Sequence, residues 1–307
     1  MFHPDGTHHT IIPSPSPNQM ADSITGLSLP TSHYDPLVAL QSGSQTHSPL
    51  FCMPGAGASA SSLLELALSF PSSLPVYVLQ SRGLTNPQLP PYVSVEEAAR
   101  DYLKTIRQTQ PKGPYHLLGH SFGGWIAFEI ALQLQAQGEQ VADLILIDTE
   151  APTPQGCKPE SFNRIGTLME LINIYNMMLR QPLPLTQQDF EGQDHSEQLQ
   201  YLHQALVSSR LFTANSPISL LQGIVQVMHA NLNTCYTPRT NYDGRVHLIN
   251  AKEENIDEAQ AHARQWKTYV TELSMMRVSG NHITMLSIPN VEPFIAALWQ
   301  ELNYPKG

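Results

Sequence analysis

Charge is scarce in this chain. Only 14% of its 307 residues are charged, well under the roughly 25% usual in globular domains, and Gln, Ser and Pro fill the polar share. Basic residues are scarcer still: 16 Lys and Arg stand against 26 Asp and Glu, a formal net charge of −10. Nucleic acid and anionic membrane both demand a basic face, so neither is expected as a main partner. Cysteine is nearly missing. Cys52, Cys157 and Cys235 make no CxxC pair and no even set, and they read as ordinary thiols of a reducing compartment. Nowhere do the roughly 18 unbroken apolar residues of a membrane span occur. The opening MFHPDGTHHTIIPSPSPNQM has neither the basic region nor the apolar core of a secretory leader. A soluble, cytoplasmic protein is the expectation. What is present is a hydrophobic content of 41%, which excludes a wholly disordered chain, and a length suited to one large α/β domain or two small ones.

Residues 1–33 carry five prolines among Ser, Thr, His and Asn, too little apolar surface to offset the entropy of ordering, and are expected to form a flexible linker or tail. His3, His8 and His9 lie there without a Cys or carboxylate at ligand spacing, so no metal site is expected. From residue 34 to 307 the texture changes. Short apolar runs at Pro49–Met53, Val76–Leu79, Tyr115–Leu118, Leu144–Ile147, Val246–Ile249 and Leu273–Val278 read as strands, several of them apolar throughout, as strands covered on both faces are. Amphipathic stretches at Ser61–Phe70, Val95–Gln108, Phe122–Gln137, Asp257–Val270 and Val291–Leu302 alternate with them. That alternation predicts an α/β domain, a doubly wound and mostly parallel sheet. The segment 152–235 breaks it with helical patterns at Phe162–Arg180, Ser196–Ser209 and Ile218–Thr234 and no strand. It reads as a helical lid inserted at the carboxyl end of the sheet, where ligand sites gather. Met169, Met177 and Met178 within it read as core filling.

The strongest chemical signal is Gly119-His120-Ser121-Phe122-Gly123. A bare G-x-S-x-G arises by chance on the order of 0.1 times in a chain of this length. Its context is more specific: it follows the run YHLL and opens the helix WIAFEIALQLQAQ, the strand–turn–helix of a nucleophile elbow. A serine hydroxyl needs a base, and the base an orienting carboxylate. Asp148 closes the run ADLILID at the carboxyl end of the next strand. Glu253, Glu254 and Asp257, after a later strand, compete with it. Among 13 histidines only His282, in SGNHITML, lies beyond the last strand. Pro54-Gly55-Ala56-Gly57-Ala58 follows the strand PLFCM, and the N–H of Ala56, with that of Phe122, is the candidate pair of oxyanion donors.

Five blocks together resemble the thioesterase domains that end nonribosomal peptide synthetases and polyketide synthases: YDPLVALQSGSQTHSPLFCMPGAG, YHLLGHSFGGWIAFEIALQL, VADLILIDTEAP, YTPRTNYDGRVHLINA and VSGNHITML. The resemblance runs from about Tyr34 to Leu302 and is weakest over 155–230. It implies an α/β-hydrolase fold and a catalytic triad of Ser121, Asp148 and His282, with the acid on Asp148 rather than Glu253. One departure is Asn281, where an Asp commonly precedes the histidine. The implied substrate is a peptidyl or polyketide (acyl) chain on the phosphopantetheine of a carrier protein, with no cofactor bound by the domain itself. The chain would pass to Ser121 and leave by hydrolysis or macrocyclisation. A free-standing proofreading (type II) thioesterase and a general serine esterase are the alternatives that share these residues, and a binding protein on the same fold is a third.

Overall fold

The computed structural model describes residues 34–44, 46–152, 162–253 and 255–304. The predicted tail 1–33, with His3, His8 and His9, and Cys157 fall outside them. Seven strands, β1 (Leu37–Gln41), β2 (Leu50–Met53), β3 (Val76–Leu79), β4 (Tyr115–His120), β5 (Val141–Ile147), β6 (Tyr242–Ala251) and β7 (Val270–Val278), form one sheet in the order β1-β3-β2-β4-β5-β6-β7. All neighbours are parallel except β1 and β3. Register aligns Gly119 with Leu146 and His120 with Ile147, so β4 and β5 end side by side.

Helices cover both faces, which is why the central strands are buried at most positions and carry long apolar runs. On one face Phe51, Leu117, Leu144, Leu146 and Leu248 pack with residues of α2 (Val95–Thr109), α3 (Phe122–Ala136) and α7 (Ile256–Trp266). On the other, Leu50, Cys52, Val78, Ile145 and Ile249 pack with α1 (Leu64–Ser69) and α8 (Val291–Glu301). The helix starts follow from local chemistry: the Ser94 hydroxyl accepts the Glu97 N–H at the start of α2, and Glu96 and Glu97 sit in its first turn, where the helix dipole favours acid.

Between β5 and β6 the chain forms α4 (Arg164–Asn176), α5 (His195–Ser208) and α6 (Ile218–Leu232). Asn163 caps α4, and Asp194 with Glu197 forms a capping box at α5. These helices build a third cluster from Leu168, Leu171, Leu202, Leu206, Leu221 and Met228, to which the sheet domain adds Leu84. His203 Nε2 donates to the Ser216 carbonyl at 2.8 Å, and His229 Nδ1 meets Thr167 Oγ1 at 2.8 Å, so both histidines tie the insertion together.

Four expectations are corrected. The edge strand β1 was not among the expected strands, although Leu37–Leu40 is an unbroken apolar run; none of its side chains is fully buried. The predicted helix Asp257–Val270 stops at Trp266, and Val270 already belongs to β7, which with β6 starts several residues before its apolar run. Met177 and Met178 do not fill a core; they are 39% and 44% exposed at the end of α4. Cys235 is disulfide-bonded, so the reading of three ordinary thiols fails; sequence separation says nothing of which sulfurs meet in space. Cys52 is a free, buried thiol whose pKa burial raises. Among the described residues no helix is long and apolar enough to cross a membrane.

Candidate active site

Ser121 stands between β4 and α3 with φ +53°, a left-handed conformation that L-residues rarely adopt. Neighbours hold the strain in place. Its N–H donates to the Ile147 carbonyl at 2.8 Å, and its carbonyl accepts from Thr149 Oγ1 at 3.1 Å. The turn also needs close backbone approach: a Cβ on Gly119 would lie 2.3 Å from the Gly123 carbonyl oxygen, and one on Gly123 would lie 2.2 Å from that of Met53. Although Ser121 occupies the N-cap position of α3, its hydroxyl makes no capping bond. Nor does it bond His282; catalytic bonds of this kind tighten in substrate complexes.

Asp148 follows β5, again at positive φ, +47°. Its N–H donates to the Ile249 carbonyl at 2.7 Å, while its Oδ1 accepts the Ala251 N–H at 2.9 Å. Its other oxygen, Oδ2, meets His282 Nδ1 at 2.7 Å. Burial pushes the carboxyl up, but the bonds from His282 and Ala251 outweigh it and hold Asp148 below the usual carboxylate range. The His282 side chain remains 28% exposed, open to an incoming group. Of the competing acids, Glu253 and Asp257 are exposed and make no bond to His282, and Glu254 lies outside the described residues.

The turn after β2 lies against this centre, since a Cβ on Gly55 would sit 3.4 Å from Ser121 Cβ. The Ala56 N–H carries no hydrogen bond among the described residues, and the Phe122 N–H, at the first position of α3, has no partner inside the helix. A narrow cleft opens beside Phe122, lined among others by Arg82, Tyr92, Tyr102, Ile126, Val227 and Asn231, and so runs between the sheet domain and α6.

Three contributors escaped the sequence. His120 Nε2 donates to the His282 carbonyl at 3.0 Å, with the two rings 4.7 Å apart. Burial first, then the neighbouring His282, lowers its pKa to about 3, so it stays neutral beside the site. Thr149 and the Ala251 N–H are the others. His120 sat inside the motif and was therefore findable, whereas Ala251 reaches Asp148 only through the parallel pairing of β5 and β6.

A match to the thioesterase-domain family spans residues 48–298. The chain belongs to that family. Among curated proteins, it is 41% identical over 140 residues to microperfuranone synthase of Emericella nidulans, covering 45% of this chain and 14% of that one. It is 28% identical over 279 residues to inactive atromentin synthetase invA3 of Paxillus involutus, covering 89% of this chain and 28% of the other. The chain thus spans less than a third of the length of these relatives. Among solved structures, the Vlm2 thioesterase domain superposes with a TM-score of 0.64 at 22% identity, over 88% of this chain and 98% of that one, and establishes the thioesterase α/β-hydrolase fold. Among the described residues no group of three or more His, Cys, Asp or Glu is placed to hold a metal ion.

Proposed function

We propose that this thioesterase domain releases a peptidyl or acyl chain from the phosphopantetheine thioester of a carrier protein, with Ser121 as nucleophile, His282 as base and Asp148 as its orienting acid. The observation that carries the reading is the 2.7 Å bond between His282 Nδ1 and Asp148 Oδ2, made beside a serine whose backbone is strained and whose hydroxyl is uncommitted. Family membership supports it, as do relatives that are long synthetases in which such a segment is one part.

Ser121 Oγ attacks the thioester carbonyl as His282 takes its proton, and the N–H groups of Ala56 and Phe122 receive the oxyanion. Collapse expels the pantetheine sulfur, which leaves as the thiol with the proton held by His282. An ester on Ser121 remains. His282 then removes a proton from water, or from a hydroxyl or amine of the chain itself, as that group attacks the ester carbonyl. Collapse breaks the bond to Ser121 Oγ, which takes the proton back from His282, leaving the free acid in the first case and a ring in the second. Asp148 holds the imidazole tautomer and stabilises its charged form. No cofactor enters these steps, the pantetheine being part of the substrate, and the partner this chemistry requires is the carrier protein that bears it.

Comparing kcat/KM for an acyl group on a carrier protein with that for the same acyl group as a simple ester tests the reading. The carrier-bound thioester is expected to be preferred by at least about tenfold, a difference of roughly 1.4 kcal/mol in transition-state binding. Equal rates on both would assign the domain to general esterases instead.

A further inference from the structure

At Asn281 the chain departs from the resemblance on which its site was first read, and that residue touches two parts of the molecule. We propose that Asn281 is a positioning residue that latches the three-helix insertion, acting as a lid, onto the turn that carries His282. The latch is a matter of geometry; its effect on turnover rests on the function proposed above.

Asn281 Oδ1 accepts the Ile283 N–H at 3.0 Å, the Thr284 N–H at 2.8 Å and the Thr284 hydroxyl at 2.9 Å. Two backbone donors fix that atom as the oxygen, so the amide orientation follows from its surroundings. The nitrogen faces the other way and donates to the Met177 carbonyl at 3.1 Å, 104 residues distant in sequence. Met177 ends α4, where carbonyls have no helical partner. One side chain therefore shapes the base turn with its oxygen and holds the lid with its nitrogen. An aspartate does only the first, because its second oxygen would set an acceptor against the Met177 carbonyl.

The end of α4 has little else to seat it. Met177 and Met178 are 39% and 44% exposed, and the apolar cluster of the insertion is largely its own, with Leu84 its buried member from the sheet domain. Segments with few apolar ties to the body open at low cost, so a single hydrogen bond matters there. At its other end the insertion rests on the opposite wall of the site, where Asn231 Oδ1 of α6 accepts the Gly57 N–H at 3.4 Å. The lid thus touches both turns that flank Ser121. Seated, it keeps water from the acyl group on Ser121 and favours a nucleophile within the chain.

Asn281→Asp and Asn281→Ala separate the two tasks. Amide hydrogen exchange is followed at 177–179 in the lid and at 283–286 in the base turn. In the aspartate variant, exchange at 177–179 is expected to rise about fivefold, the worth of one net hydrogen bond, with 283–286 within about twofold of wild type. In the alanine variant both segments should exchange faster. With an acyl-N-acetylcysteamine thioester, the acyl-enzyme of the aspartate variant, followed after loading, should lose its acyl group to water about fivefold faster than that of the wild type. Wild-type exchange at 177–179 in Asn281→Asp overturns the latch, as does equal loosening of both segments in that variant. Faster exchange with unchanged loss to water overturns the positioning role. If the wild-type enzyme never forms an acyl-enzyme, the proposed function fails while the exchange data still decide the latch.

Discussion

His120 precedes Ser121 by one residue and is 4% exposed. Its folded pKa of about 3 lies below the 6.5 of an ordinary histidine, chiefly through burial. It therefore stays neutral in the fold, while the unfolded chain takes up its proton as pH falls through 6.5. Between pH 6.5 and 3 the unfolded state binds more protons, so stability falls with pH, by up to about 1.4 kcal/mol per unit. Asp148, held below its ordinary pKa, adds to the loss in the same direction at still lower pH. His120→Gln keeps an N–H for the His282 carbonyl and removes the titration. Urea unfolding from about pH 7 to 4 should show a shallower loss of stability in the variant. Identical slopes would mean that His120 is not the buried neutral group described. At this scale the sequence could place Ser121, Asp148 and His282 at one end of the sheet, from the elbow motif and the strand ends that carry them. The site was not legible where through-space pairing decides, as in Ala251 against Asp148 or Asn281 against Met177.

Strand β5 carries Asp148 just past one end and Asp143, 1% exposed, near the other. Asp143 accepts from His116 Nδ1 at 2.6 Å on β4 and from the Asn303 N–H at 3.1 Å and its Nδ2 at 2.8 Å, so it fastens the segment after α8 to the sheet. Asp143→Ala leaves these buried donors without an acceptor and is expected to cost roughly 3–5 kcal/mol. Because alanine keeps the β5 ladder, kcat per folded molecule should hold. Denaturant melts with an active-site titration check both halves, and a loss of kcat without a loss of stability would contradict this division of labour. The central strands could be read from the sequence because strands covered on both faces carry runs of consecutive apolar residues. β1 carries such a run too, Leu37–Leu40, but was missed; its exposed and half-buried side chains show that an apolar run alone does not tell an edge strand from a central one. The early starts of β6 and β7 were missed because they are polar: Asp243, Gly244 and Arg245 lie near the start of β6, and Thr271 and Glu272 near that of β7, exposed or half-buried in each case.

The molecule as a whole is a sheet sealed on both faces, with an insertion that carries its own core across the end where β4, β5 and β7 deliver Ser121, Asp148 and His282. Family and fold were readable from the order and spacing of five blocks. The insertion was read as helical but not in its contacts, because its helices pack mainly on one another. All of this converges on an acyl group held by Ser121. Intact-protein mass spectrometry after mixing with an acyl-N-acetylcysteamine thioester, beside Ser121→Ala, tests it most directly. The wild type should gain the mass of one acyl group less a proton, and the variant should gain nothing. An adduct of equal yield on Ser121→Ala, or none on the wild type with no thioester turned over, would contradict the assignment.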